Sequence, residues 1–429
     1  MKQTASLPEA SLQSGTAPRI AVPFRAAFMV AIAAGLGYGF DAYAVNIFGI
    51  LGPLIIRDFH LTTQSFGLIG SIFLVGYTIG TIGFGILADR CGRRTALRWS
   101  IALYGLTTAF GAVSSNFFVF TGLRFLTGVG GAGELSVGAP YTAEMWPAKI
   151  RAIGTGGIMF SLYSCGYIVA ALAALYIVPR YGWQWTFAFA IIPAGSVFFL
   201  RQIIQESGRY KQAKADLAEI VKREGVDHPP ENIWTIPGAR RRISIGWMIY
   251  IANACGYWGV TVFLTTFMVT KFHVTPARAI FYAMMFYVAQ FFLSYIGTAF
   301  ADFVGRRPAG ILGAVIMIVC TIVASLTNSL AVFLWFGAAM IGMLGWLWGV
   351  GDTYISEFFR TTLRGTSFGI MVGGGRLVSI FAPFIVGWGI LTLGPTIPFL
   401  ATSLLWILTI VAYWMGPETA GRELEEVQL

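Results

Sequence analysis

The sequence predicts an all-α membrane protein, with twelve transmembrane helices arranged as two six-helix bundles. Three observations lead there. Hydrophobic residues make up 56% of the 429 residues and charged ones only 11%, against roughly 25% charged in a soluble domain. Such a chain has too few charges to cover a water-facing surface. It also holds about twelve apolar stretches of some 20 residues, the length a helix needs to cross a ~30 Å hydrocarbon core. Finally, the pattern Asp-x-x-Gly-Arg-Arg occurs twice, as Asp89, Gly92, Arg93, Arg94 and as Asp302, Gly305, Arg306, Arg307, at an offset of 213 residues. At the same offset Tyr141, Glu144 and Arg151 map onto Tyr354, Glu357 and Arg364. Several charged patterns in one register mark two related halves, and a duplicated membrane chain is most simply a machine that rocks one half against the other.

Residues 1–23 are polar, with Ser, Thr and Pro and no apolar run, which predicts a disordered tail and not a signal peptide. The first bundle, 24–205, holds apolar spans over 26–50, 66–88, 96–114, 117–141, 153–177 and 184–205. Each must be helical, because lipid offers no partner for backbone polar groups. The two-residue alternation of a membrane barrel is missing. The charged Asp89–Arg94 stretch ends the second span, and the glycines of the fourth, Gly128 to Gly133, answer to close helix packing. Residues 206–244 are a long polar connection with Pro229, Pro230 and Pro237 as helix breakers. The composition of 209–224 predicts an amphipathic helix there, followed by an irregular strap. The second bundle, 245–415, repeats the layout over 245–269, 279–301, 309–327, 329–355, 366–390 and 393–415, and residues 416–429 form a tail.

The formal net charge is +10, and its placement explains it. With the amino terminus inside, Arg57, Arg180, Lys271 and Arg278 fall outside and Arg124 and Arg376 within spans, which leaves 23 of the 29 Lys and Arg on the cytoplasmic face. That bias orients the protein with both termini in the cytoplasm; it is no footprint for nucleic acid. Cys91, Cys165, Cys255 and Cys320 are scattered, and His60, His228 and His273 lie in loops. Neither a disulfide framework nor a metal site is expected.

The run Gly85-Ile86-Leu87-Ala88-Asp89-Arg90-Cys91-Gly92-Arg93-Arg94 resembles the loop signature between helices 2 and 3 of the major facilitator superfamily at nearly every position. The second copy at Asp302, the Arg124-x₃-Gly128 segment and the Pro417-Glu418-Thr419 tail are similar to that family too. The resemblance covers residues 24–421 and implies two six-helix bundles with alternating access to a central cavity. Gly39-Phe40-Asp41, Gly131-x-Gly133-Glu134 and Glu144-x-Trp146-Pro147-x₃-Arg151 look like proton-coupled carriers of organic acids, of the aromatic-acid and sialate or lactate type. Tyr38 stands where those relatives often carry a further acid.

Three groups of residues are expected to carry the chemistry. Asp89, Arg93, Arg94, Glu144 and Arg151, with Asp302, Arg306, Arg307, Glu357 and Arg364, supply paired charges at the inner face. In a rocking carrier such pairs close the inner gate in one state and break in the other. As exposed pairs each would contribute only ~0–1 kcal/mol. A charge at mid-membrane costs roughly 2.5–3.5 kcal/mol and persists only when paired or facing water. Asp41 in helix 1, beside Gly39, Ala42 and Tyr43, and Glu134 in helix 4 are the candidate proton carriers; a fixed bridge to Arg124 or Arg376 is the other reading of each. The resemblance ties Arg124 to proton transfer. Arg376, after Gly373, Gly374 and Gly375, suits a two-pronged grip on a substrate carboxylate, or a permanent bridge to an acid of the first half. Asn46, Asn253, Tyr257, Trp258, Tyr287, Gln290, Trp346 and Trp348 are expected to complete a substrate-binding wall.

The expected activity is therefore import of a small organic acid, possibly an aromatic carboxylate, by proton symport. A sugar or other metabolite symporter, or a proton-coupled exporter of the same fold, remains an alternative. No enzymatic constellation and no cofactor beyond the coupling proton is expected. The partners are a small anionic molecule and the lipid bilayer, with a monomer in the bacterial inner membrane as the working unit.

Overall fold

The computed structural model describes residues 22–61, 63–224, 233–261 and 263–424. The expected tail up to residue 21, the part of the strap carrying Pro229 and Pro230, and residues 425–429 lie outside the described residues. Twelve long helices follow one another: α1 Phe24–Ile50, α2 Thr63–Cys91, α3 Arg93–Phe110 and α4 Phe117–Met145. Next come α5 Ile153–Tyr181 and α6 Gln184–Ile203, then α7 Ala239–Thr261, α8 Pro276–Val304 and α9 Arg306–Leu326. The last are α10 Leu330–Ser356, α11 Arg364–Leu393 and α12 Thr396–Met415. The expected amphipathic helix is present in the connection, as Gly208–Glu224.

Among the described residues, nine of these helices are apolar enough to cross a membrane by composition alone. The other three, α3, α4 and α7, are diluted by residues that the interior uses. Arginines head α3, α4 carries Arg124 and Glu134 among glycines, and α7 carries Asn253, Tyr257 and Trp258. The polarity that weakens their hydropathy is spent on partners inside the protein, so lipid never meets it.

Several boundaries differ from the expected ones: the fourth span runs on to Met145 instead of 141, and the seventh begins at Ala239 instead of 245. The third begins at Arg93 instead of residue 96 and the ninth at Arg306 instead of 309, and these two share a cause. The reason is the duplicated motif. Gly92 and Gly305 adopt φ of 99° and 128°, a region costly for any residue with a Cβ. One residue therefore reverses the chain, and the next helix starts at once on Arg93 or Arg306. The opening amides of both helices are capped from a distance. Glu206 accepts from the Arg93 and Arg94 N–H groups at 3.0 and 3.1 Å, and Glu418 from those of Arg306 and Arg307 at 2.9 and 3.0 Å. A carboxylate at a helix N-terminus satisfies free donors and complements the dipole.

The halves meet along two seams. On one, α2 lies against α11 so closely that a Cβ on Gly85 would strike the Gly365 carbonyl. On the other, α5 lies against α8 and α10, with Gly156 against the Gly349 backbone. A π-helical turn, Ile153–Ile158, opens α5 at this seam.

Candidate functional site

Midway along the helices, both halves face one small cavity lined by Tyr38, Asp41, Val45 and Tyr77 of the first half, Phe160 and Tyr163 of α5, and Tyr257, Trp258, Trp348 and Arg376 of the second. Its volume is about 20 Å³, room for roughly one water molecule. The walls are aromatic for a packing reason. Phe160 stacks on Tyr163 and on Trp348 with ring centroids 5.4 and 5.9 Å apart, and Tyr38 leans on Tyr163 at 4.6 Å. The hydroxyls of Tyr163, Tyr257 and Tyr287 form a chain at 3.2 and 3.3 Å.

Two charged groups stand in this wall without an ion-pair partner among the described residues. Asp41 is buried; its Oδ2 accepts from the Tyr77 hydroxyl at 2.8 Å, and its Oδ1 has no hydrogen-bond partner. The Arg376 guanidinium lies 4.0 Å from the Tyr77 ring centre and 5.7 Å from that of Trp348. Ring faces stabilise a cation without consuming its N–H groups. Arg376 is therefore held in place with its donor edge free, which is what a planar carboxylate requires. Tyr77 touches both groups, its hydroxyl on the acid and its ring on the base.

The other proton-carrier candidate sits elsewhere. Glu134 receives both terminal nitrogens of Arg201, one at 2.8 Å to Oε1 and one to Oε2, and Ser100 donates to Oε1 at 2.9 Å. Arg201 also donates to the Leu97 carbonyl at 2.7 Å, and both side chains are fully buried. The bridge expected for Glu134 exists, but to Arg201 and not to Arg124 or Arg376. Arg201 is thus no orienting loop charge: it folds back from the end of α6 into the bundle. Truncating one partner of a buried pair strands the other, at about 3–5 kcal/mol. We expect Glu134→Gln to lower the melting temperature of the purified protein sharply, and Glu134→Leu with Arg201→Met to recover most of the loss. A double variant as unstable as the single one would show that the pair is not the cause.

Arg124 donates to the Ala44 carbonyl at 2.9 Å and lies over the rings of Phe48 and Phe73, at 4.8 and 4.6 Å. It approaches the helix of Asp41 without pairing to it. Of the expected wall residues, Tyr257 and Trp258 do line the cavity, and Asn46, besides donating to the Ala42 carbonyl of its own helix, makes a side-chain hydrogen bond with Tyr257. Three others require correction. Trp346 donates to Ala309 at 2.9 Å inside the second half, whereas Trp348, two residues on and expected alongside it, does line the cavity. Two residues turn a helix by about 200°. Asn253 is buried near Leu347 and Gly351, and Gln290 accepts from Ser164 at 3.0 Å across the α5–α8 seam. Each amide bonds at one end within a packed interface, while Asn253 Oδ1 and Gln290 Nε2 have no hydrogen-bond partner among the described residues.

At the end of the molecule nearest the connection, the duplicated charges form one lattice with matching halves. Glu144 Oε1 takes Arg93 at 2.9 Å from its own half and Arg364 at 3.0 Å from the other. Glu357 Oε1 takes Arg306 at 3.2 Å from its own half and Arg151 at 2.9 Å from the other. Asp89 bridges to Arg93 at 2.5 Å and accepts from the Gly365 and Thr366 amides at 3.1 and 2.6 Å. Asp302 bridges to Arg306 at 2.7 Å and accepts from the Ala152 and Ile153 amides at 3.0 and 2.9 Å. Each acid thereby seals the N-terminus of a helix in the opposite half. These pairs are buried, not exposed as the sequence suggested, so removing one member strands a charge and costs far more than breaking a surface pair. Arg94 and Arg307 do not join them. Arg94 reaches the Arg201 and Gln202 carbonyls, and Arg307 the Tyr413 and Trp414 carbonyls at 3.0 and 2.8 Å, which caps helix ends within one half.

Sequence reasoning missed Tyr77, Arg201, Glu206, Asp352 and Arg209. Asp352 of α10 is buried and accepts from the Tyr250 hydroxyl. Arg209 donates to the Glu144 carbonyl at 2.8 Å and to Glu423 at 2.9 Å, tying the connection to the C-terminal tail. Glu206 had a faint signal: it matches Glu418 at an offset of 212, one residue out of register with the other repeats.

Against known proteins, the Major Facilitator Superfamily profile matches residues 32–242 and 246–428. A putative metabolite transport protein of Haemophilus influenzae is 27% identical, over 92% of this chain and 97% of its own length. The niacin transporter NiaP of Acinetobacter baylyi is 26% identical, over 92% of this chain and 95% of its own. Among solved structures, the proton:xylose symporter XylE bound to 6-bromo-6-deoxy-D-glucose superposes with a TM-score of 0.78 at 20% identity, covering 94% of this chain and 98% of that one.

Proposed function

The chain belongs to the Major Facilitator Superfamily, as a membrane transporter and not an enzyme, and from that premise we propose that it imports a flat organic monoanion with protons. The observation that carries this reading is Arg376: a buried guanidinium aimed at the cavity, free of any acid and braced on aromatic faces. A permanent bridge would have consumed it; a cationic or neutral cargo would not need it. The niacin transporter among the relatives supports an aromatic carboxylate, since niacin is one. The similarity to XylE supports the fold alone.

The cycle follows from the residues. With the cavity open outward, Asp41 takes a proton, which removes the anion competing for Arg376, and cargo then binds with its carboxylate on that guanidinium and its ring against Phe160, Tyr163 and Trp348. Once the halves rock, water reaches Asp41 from the other side and the proton leaves. The carboxylate left behind repels the cargo and displaces it, so proton and cargo affinities are linked. The charge lattice, on the side that the positive-inside bias assigns to the cytoplasm, acts as the inner gate. We place the protein in the bacterial inner membrane on the same bias and on its bacterial relatives.

A thermal-stability screen of the purified protein against nicotinate, benzoate and xylose, followed by uptake into proteoliposomes under an inward proton gradient, tests this. We expect the acids and not the sugar to stabilise, and nicotinate to accumulate. Efflux driven by the same gradient would make the protein an exporter, and stabilisation by xylose alone would end the acid reading. The gate has its own test. Glu144→Gln leaves Arg93 and Arg364 without their shared acid, which at about 3–5 kcal/mol should open the inner side in much of the population. Hydrogen exchange at the amides of Gly365 and Thr366 should then speed up by at least tenfold; unchanged protection would remove Glu144 from the gate.

A further inference from the structure

The second half carries its own copy of the arrangement around Asp41. Asp352 lies on α10, one helical turn beyond Trp348 of the cavity wall and five residues before Glu357 of the charge lattice. It is buried, takes part in no ion pair among the described residues, and accepts from one phenol, that of Tyr250 on α7. Asp41 has the same surroundings: burial, no ion pair, and one phenol, Tyr77. The two acids share no hydrogen-bond partner and belong to different halves. Tyr250 packs edge-on to Trp348, with ring centroids 5.4 Å apart, so the second pair underlies the cavity floor. The titratable groups within electrostatic reach of Asp352 are Tyr250 from α7, Arg376 from α11, Tyr38 from α1 and Tyr413 from α12. Of these only Arg376 is a cation, and Asp41 lies within its reach as well.

One guanidinium thus serves two unpaired carboxyl groups. Each of them, when ionised, competes with an anionic cargo for Arg376, and each favours that cargo when neutral. We propose that Asp352 is a second proton-binding carboxyl, carried by the C-terminal half, so that two protons enter with each monoanion. The proposal rests on the proton-coupled reading above. In the outward-facing state one proton passes from external water through the cavity to an Asp352 carboxylate oxygen, while another goes to Asp41. When the lattice at Glu144 and Glu357 parts, cytoplasmic water reaches Asp352 from below and takes its proton. Two positive charges and one negative charge cross together, so each cycle carries one net positive charge inward.

The full-length chain in proteoliposomes, with radiolabelled nicotinate as cargo and valinomycin with potassium setting the membrane potential, decides the matter. At a fixed inward proton gradient, an inside-negative potential of about 60 mV should raise steady-state accumulation about tenfold, the factor for one net charge. Asp352→Asn keeps the shape and the tyrosine contact. It should still accumulate nicotinate under the proton gradient, but with a proton-to-cargo ratio falling from two to one and no response to potential. If that variant does not fold, the wild-type ratio decides alone. A wild-type ratio of one with no response to potential, or an Asp352→Asn variant that keeps a ratio of two, overturns the proposal while leaving symport intact. Absence of any proton-driven accumulation by the wild type overturns both.

Discussion

Replacing Asp41 with Asn should lower uphill accumulation of an aromatic acid in proteoliposomes, while exchange of labelled for unlabelled acid across the membrane continues. The expected loss is the share of the concentration ratio that one proton drives, about tenfold per unit of the pH gradient, and any remainder rests on Asp352. The physical basis is the carboxyl group's position. Asp41 is buried with one oxygen on Tyr77 and the other without a partner, so its charge is compensated by no fixed neighbour and must come and go with a proton. An amide keeps the volume and can still accept from Tyr77, which separates loss of coupling from loss of fold. Cargo binding to the variant should also lose the part of its pH dependence that Asp41 contributes. In the wild type, protonation of this acid favours the anion, so affinity should fall as pH rises. A variant that concentrates cargo as strongly as the wild type, or one whose affinity keeps the full wild-type pH profile, would take Asp41 out of the coupling scheme.

Arg376→Ala should weaken carboxylate binding by at least about thirtyfold. Removing one member of a buried, hydrogen-bonded charge pair typically costs 2–5 kcal/mol, and tenfold in affinity is 1.4 kcal/mol. The distinctive feature is what should not happen. Arg376 makes no ion pair in the described structure, so its removal strands no acid and should leave the melting temperature of the ligand-free protein within a few degrees of the wild type. Stabilisation by nicotinate, by contrast, should vanish. Arg376→Lys should recover only part of the affinity, because an ammonium is a point donor and cannot match both carboxylate oxygens. If affinity survives in the alanine variant, the carboxylate is held elsewhere. If the unliganded fold collapses instead, Arg376 is a structural residue.

Spacing along the chain and packing in space answer to different physics. Spans over Asp302 and Glu357 could be matched with those over Asp89 and Glu144 because repeats preserve spacing, and the lattice then followed almost residue for residue. What spacing could not reveal was burial: the same pairs look like exposed loop charges on paper, and only packing shows them sealed. Arg94 and Arg307 belong to the same motif, yet they cap helix ends, because the neighbouring position on a helix points about 100° away. Trp346 turns away from the cavity while Trp348 lines it for the same reason, the two being alike in composition and opposite in direction. Asp352 was passed over because it sits close to the inner end of its span, where an acid meets headgroups as readily as protein.

The sequence by itself determined the class of molecule: a helical, twice-repeated membrane chain with a preferred orientation. Hydrocarbon thickness dictates the length and composition of each span, and loop arginines are sorted by side, so both are written locally along the chain. The tertiary structure alone decided which buried charges are neutralised and which are left free. Glu134 and Arg201 are 67 residues apart and satisfy one another, whereas Asp41 and Arg376 face the cavity and Asp352 lies behind its wall, none of them in an ion pair among the described residues. A charge reports its type in the sequence, but its partner is settled by helix rotation and approach, which no single span encodes.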